Sequence, residues 1–152
     1  MGGRALNQNV QVVLLIEDDE PIQTMVEDAL AEAGFEPAVV PSGEEAVTLL
    51  KGMPGEYHAI VTDISLRGKI DGWEVARRAR EASPNFPVVY ISGASAGDWR
   101  SKGVPNSVML EKPFVPAQLV TAVANLLNRQ ADAISPDEGL SSATSELGQK
   151  LT

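Results

Sequence analysis

Five short apolar runs, each followed by a stretch of helical periodicity, constrain this chain more than any other feature. The runs are VVLLI (12–16), EPAVV (36–40), AIVTD (59–63), PVVYIS (87–92) and SVMLE (107–111). They are rich in β-branched residues and nearly continuous in apolar character, as expected of strands covered on both faces. Strands in strict alternation with helices specify a parallel sheet, because parallel neighbours need a crossover and the helix supplies it. The fold expected is therefore α/β, a five-stranded doubly wound parallel sheet with helices on both faces.

The intervening segments carry helix signals. The first has Pro21 near its start and the stripe Ile22, Met25, Val26, Ala29, Leu30, Ala33, with Gly34 as the stop. The second opens on Ser42 and Glu45, spaced as a capping box, and the third on Asp71 and Glu74 with the same spacing. A fourth helix near 96–102 is weakly patterned. The fifth starts near Pro116 and repeats Leu119, Val120, Val123, Leu126 and Leu127. We expect an N-terminal extension over 1–9, one domain over 10–129, and a polar, flexible tail over 130–152 with no second domain.

Composition removes several functions. There is no cysteine and a single histidine, His58, so thiolate chemistry and imidazole clusters are excluded. No apolar run reaches membrane-spanning length and the N-terminus lacks a signal-peptide core, so the expected location is the cytoplasm. A net charge of −9 argues against nucleic acid as a partner. Arg77, Arg78 and Arg80 read as the solvated face of a helix, and His58 as a surface residue. Trp99 reads equally as a partner contact or as partly buried against the sheet edge.

In an open parallel sheet, ligands bind beyond the carboxyl ends of the strands. The first strand delivers Glu17, Asp18 and Asp19 there, the third Asp63, the fourth Ser92 and the fifth Lys112, followed by Pro113. Carboxylates brought together raise each other's pKa or recruit a cation. Hard oxygen donors without histidine or cysteine suit Mg²⁺. A carboxylate beside Mg²⁺ and a lysine can attack a phosphoryl group, giving an aspartyl phosphate. Each residue also has a plainer reading: Asp19 as a helix cap, Asp63 and Ser92 as turn residues, Lys112 as a surface lysine. The convergence of all of them favours the chemical reading.

LLIEDDEP, IVTDISL, DGWEVAR, VVYISGAS and LEKPF together resemble the receiver domain of two-component response regulators, over about residues 10 to 129. The resemblance implies a flavodoxin-like strand order 2-1-3-4-5. It implies Asp63 as phosphoacceptor, Asp18 and Glu17 as the acidic pair for Mg²⁺, and Asp63 with the Ser65 carbonyl as further ligands. Ser92 becomes the switch hydroxyl, Lys112 the site lysine, and Lys112–Pro113 a cis peptide. Three departures stand out. Met109 replaces the usual aromatic switch residue three before the lysine. The loop SLRGKIDG is one residue longer than the common form and lacks its proline. Ser65 and Ala94 offer neither an acid nor an amide to orient an attacking water, so dephosphorylation is expected to be slow.

The function expected is a stand-alone response regulator, a phosphoacceptor rather than an enzyme. A histidine kinase or histidine phosphotransfer protein would be the donor. Output would pass through an unknown downstream protein or onward phosphotransfer, with a homodimer through the fourth-helix and fifth-strand face as an option. The alternatives are a Mg²⁺-dependent phosphatase with an aspartate nucleophile and a non-phosphorylated scaffold. The first lacks a second acid at Ser65 and a substrate cap. The second predicts a broken acidic site, whereas Glu17, Asp18, Asp63, Ser92 and Lys112 are all present.

Overall fold

In a computed structural model the chain forms a five-stranded parallel sheet, and residues 10–94 and 96–133 are described. The strands are β1 (Val12–Ile16), β2 (Glu36–Val40), β3 (Ala59–Asp63), β4 (Val88–Ser92) and β5 (Val108–Glu111). The helices are α1 (Glu20–Glu32), α2 (Gly43–Gly52), α3 (Gly72–Ala82), the single turn α4 (Trp99–Lys102) after a 3₁₀ turn at Ala96–Asp98, and α5 (Pro116–Ala133). Sheet order is β2-β1-β3-β4-β5, so the doubly wound expectation and its implied order both hold. The boundary expected at Arg129 falls inside α5. Residues 1–9 and most of the expected tail lie outside the described residues.

Strand alternation sorts the core into two layers. Val12, Leu14 and Ile16 face one side with Ile60, Val88 and Tyr90, under Ala46 of α2 and Trp73, Val75, Ala76 and Ala79 of α3. Val13 and Leu15 face the other with Val61, Val89 and Ile91, under Val26 and Leu30 of α1 and Leu119, Val123, Leu126 and Leu127 of α5. β1, β3 and β4 are buried throughout, whereas β2 and β5 are mostly half-buried because they are the sheet edges. None of the described helices is long and apolar enough to cross a membrane.

The helix starts follow their sequence signals. Asp19 accepts the Ile22 N–H at 3.2 Å, Ser42 Oγ the Glu45 N–H at 3.2 Å, and Asp71 the Glu74 N–H at 2.9 Å. These caps fix where each helix leaves its strand, and so where the strand-end side chains converge.

Two surface expectations change. Arg77 and Arg78 do pair with Glu74 on an exposed face, but Arg80 donates to the carbonyls of Phe86 and Pro105, each at 2.6 Å, joining α3 to the starts of β4 and β5. His58 is half-buried, and its Nδ1 accepts the Val12 N–H at 2.9 Å, extending the contact of β1 with β3. Trp99 remains exposed at 37%, but it is anchored: its Nε1 donates to Ser107 Oγ at 2.9 Å, and a Cβ at Gly103 would collide with its ring.

Candidate functional site

β1, β3 and β5 deliver their acids and lysine to one end of the sheet. Glu17 stays in ladder geometry just past β1, its N–H donating to Val40 O at 3.1 Å, which turns its side chain inward with no exposed surface. Oε2 of Glu17 accepts the Asp19 N–H at 3.0 Å, and Gln23 Nε2 donates to the Glu17 carbonyl at 2.5 Å. Asp63 closes β3 and is 5% exposed. Its Oδ1 accepts the Ser65 N–H at 3.3 Å and its Oδ2 lies 3.1 Å from Lys112 Nζ. Asp18 is half-buried at the rim, with Arg67 Nε 3.6 Å from its Oδ2.

One carboxylate oxygen from each of Glu17, Asp18 and Asp63 lies within 4.8 Å of the others. The Lys112 ammonium serves two of them, at 3.1 Å from Asp63 and 3.4 Å from Glu17 Oε1. The longer approach makes no hydrogen bond. Among the described residues, Glu17 Oε1 is the buried side-chain polar atom left without one. Burial, then the neighbouring Asp63 charge, raise the Glu17 pKa from 4.5 to about 7. Burial opposes the Lys112 charge, yet the Asp63 and Glu17 carboxylates outweigh it and hold its pKa above the ordinary value.

Of the remaining expected residues, Ser92 is buried at the end of β4, and its Oγ accepts the Ala94 N–H at 3.1 Å. The Lys112 N–H donates to Ser92 O at 2.8 Å, which ties the two residues together. The Lys112–Pro113 peptide is cis. Ser65 is exposed and joined to Asp63 by its N–H. Met109 lies apart from the acids, in register with Tyr90 and packed against the α2/α3 layer. Tyr90 is fully buried, its ring centroid 4.8 Å from that of Trp73 and its hydroxyl accepting the Val104 N–H.

Sequence reasoning passed over three residues around the site. Gly72 sits so close behind Asp63 that a Cβ would collide with the Asp63 carbonyl oxygen and stand 2.7 Å from Ile64 Cα. Its place in an Asp-Gly helix start was the available signal. Gln23 and Arg67 reach the cluster from α1 and from the loop after β3, and no spacing rule singles either out.

The cluster fits a small hard cation. Three acids face the Lys112 ammonium and, at the exposed rim, the Arg67 guanidinium; all donors are oxygens, and one buried oxygen lacks a hydrogen bond, an arrangement that suits a divalent ion such as Mg²⁺.

Comparison with known proteins bears on this geometry. A sequence model of the response regulator receiver domain matches residues 13–124. The transcriptional regulatory protein CusR of Escherichia coli K12 is 31% identical over 124 residues, covering 80% of this chain and 53% of CusR. The chain thus spans about half the length of the curated relatives it matches. Among solved structures, a response regulator receiver protein from Sinorhizobium medicae WSM419 is 46% identical with a TM-score of 0.77, covering 80% of this chain and 97% of that one. The receiver domain of the sensor histidine kinase PA1611 from Pseudomonas aeruginosa PAO1, solved with a magnesium ion coordinated in its active-site cleft, is 27% identical with a TM-score of 0.66, covering 78% and 98%.

Proposed function

Because the chain belongs to the family of response regulator receiver domains, we propose that Asp63 accepts a phosphoryl group from a sensor histidine kinase or a histidine phosphotransfer protein. Receiver domains of this family are phosphoacceptor signalling domains of two-component systems, generally not enzymes, and they bind Mg²⁺ in the active site. For this chain the proposed Mg²⁺ ligands are Asp18, Asp63, the backbone carbonyl of Ser65 and, directly or through a water, Glu17.

The observation that carries the reading is the Lys112 ammonium 3.1 Å from Asp63 Oδ2, beside a buried Glu17 oxygen without a hydrogen bond. Phosphoryl transfer asks little covalent chemistry of the protein and much positioning. An Asp63 carboxylate oxygen attacks phosphorus, and the P–N bond to the donor imidazole breaks. The electron pair leaves on the imidazole nitrogen, which takes a proton from solvent. In this reading Lys112, 3.1 Å from Asp63 Oδ2, balances charge on a phosphoryl oxygen, and the Ser92 hydroxyl donates to another. Bound Mg²⁺ would supply further neutralisation of the transferring group. Lys112 then exchanges its contact with the Asp63 carboxylate for one with the phosphoryl group, a local charge event of the kind that biases a two-state element.

Output through a partner protein or onward phosphotransfer, in the cytoplasm, completes the reading. The net charge of −9 supports protein rather than nucleic-acid contact. A homodimer through α4 and β5 is compatible with it. Borohydride trapping tests the acceptor: an aspartyl phosphate is reduced to homoserine, and peptide masses should place that change at position 63. Homoserine elsewhere, or none after phosphodonor treatment, contradicts the assignment.

A further inference from the structure

The loop between Asp63 and α3, residues 64–71, is held at its tip by a carboxylate from another element. Glu44, in the first turn of α2, accepts the N–H groups of Lys69 at 2.8 Å and Ile70 at 3.3 Å on a single oxygen. Gly68 has φ +95°, and a Cβ there would lie 2.8 and 2.9 Å from the two Glu44 oxygens, so the seat requires glycine. The Lys69 N–H is the main cause that lowers the Glu44 pKa, which marks the anion as the form the seat holds. The base of the loop is closed separately, by Gly72 N–H donating to Ile64 O at 3.0 Å.

Arg67 directly precedes this fixed tip. Its side chain is 88% exposed, and among the described residues its ionic partner is Asp18, 3.6 Å away across the mouth of the acidic cluster. Exposed ion pairs are weak when both side chains move freely, because ordering them costs entropy. Fixing the backbone on one side of Arg67 removes part of that cost.

We propose that Glu44 is a positioning residue: by seating the loop tip it keeps Arg67 over Asp18 as a built-in cation that competes with the metal. The proposal rests on the reading of Asp18 as a Mg²⁺ ligand. A site so guarded binds Mg²⁺ more weakly than its acids alone would. Arg67→Ala should therefore tighten Mg²⁺ binding about two- to fivefold, the range set by a weak exposed pair. Glu44→Ala, or Gly68→Ala as an independent way of emptying the seat, should give a similar tightening. Glu44→Gln keeps an oxygen acceptor for both N–H groups but loses the charge the seat favours, and should fall between wild type and Glu44→Ala.

The test is calorimetric titration of Mg²⁺ into the metal-free full chain at fixed ionic strength, with hydrogen exchange at the Lys69 and Ile70 amides. The expected result is tighter binding in Arg67→Ala and Glu44→Ala, no additional gain in the double variant, and faster amide exchange only where Glu44 is lost. Wild-type binding that depends on Asp18 but is unchanged by Arg67→Ala overturns the proposal and leaves the metal site standing. Additive effects in the double variant also overturn it, because Glu44 would then act without Arg67. Absence of wild-type Mg²⁺ binding removes the metal site itself, and the proposal with it.

Discussion

Glu17 has no exposed surface and an oxygen without a hydrogen bond, so its charge is costly in the metal-free protein. Its folded-state pKa of about 7 stands above the ordinary 4.5. Between those values the folded protein binds more protons at Glu17 than the unfolded chain does. The associated stability is present below about 4.5 and is lost as the pH rises through about 7. In EDTA, Tm should thus be higher at pH 5.5 than at pH 8, and Glu17→Gln should flatten the difference. Mg²⁺ should restore stability at pH 8, since binding to the folded state raises Tm by mass action. A metal-free Tm that rises between these pH values would contradict this account of the buried acid. Residue chemistry also sets the lifetime of a phosphorylated Asp63. Ser65 is exposed beside it and Ala94 donates its N–H to Ser92, and neither side chain offers an acid or an amide to orient an attacking water. The phosphoryl group should therefore persist for minutes or longer in Mg²⁺ buffer, with Ser65→Asn shortening its life. Loss within seconds in the wild type would count against this.

The start of α3 is where an element and the site meet. Gly72→Ala would drive a methyl group into the Asp63 carbonyl, and overpacking of this kind costs about 1–3 kcal/mol. Asp71→Ala removes only the cap on the Glu74 N–H, a loss of about 1 kcal/mol. Urea midpoints should fall in both, but phosphorylation should slow much more in Gly72→Ala, because Asp63 must move. Equal phosphorylation rates in the two variants would show that Gly72 only supports the fold. The caps at Asp19, Ser42 and Asp71 were legible in the sequence because capping has a fixed three-residue spacing. The roles of Arg80, His58 and Glu44 were not, since their partners lie 25 or more residues away, or at the start of another strand. No local period encodes such contacts. The edge strands were misjudged in degree for a related reason: a run such as EPAVV reads as apolar whether or not a neighbour covers it, and position in the sheet decides.

At the scale of the molecule, alternation of five strands with helices specifies the architecture, and the rule that ligands gather at strand carboxyl ends points to the sheet end where the acids converge. Glu17, Asp18, Asp63 and Lys112 were legible because each ends an apolar run or lies within two residues after one. The strand order followed only from resemblance, since hydrophobic pattern does not say which strands are neighbours. The Met109 position keeps its consequence in the core: it packs beside Tyr90, whose ring meets Trp73, so an apolar chain fills the place of an aromatic one. The central claim is that this sheet end accepts phosphate on Asp63 with help from Mg²⁺. It is tested most directly by intact-protein mass after incubation with acetyl phosphate, with and without Mg²⁺, for the wild type and Asp63→Asn. The account predicts one added phosphoryl group that requires both Mg²⁺ and Asp63. An adduct that survives loss of Asp63, or none under any condition, would contradict it.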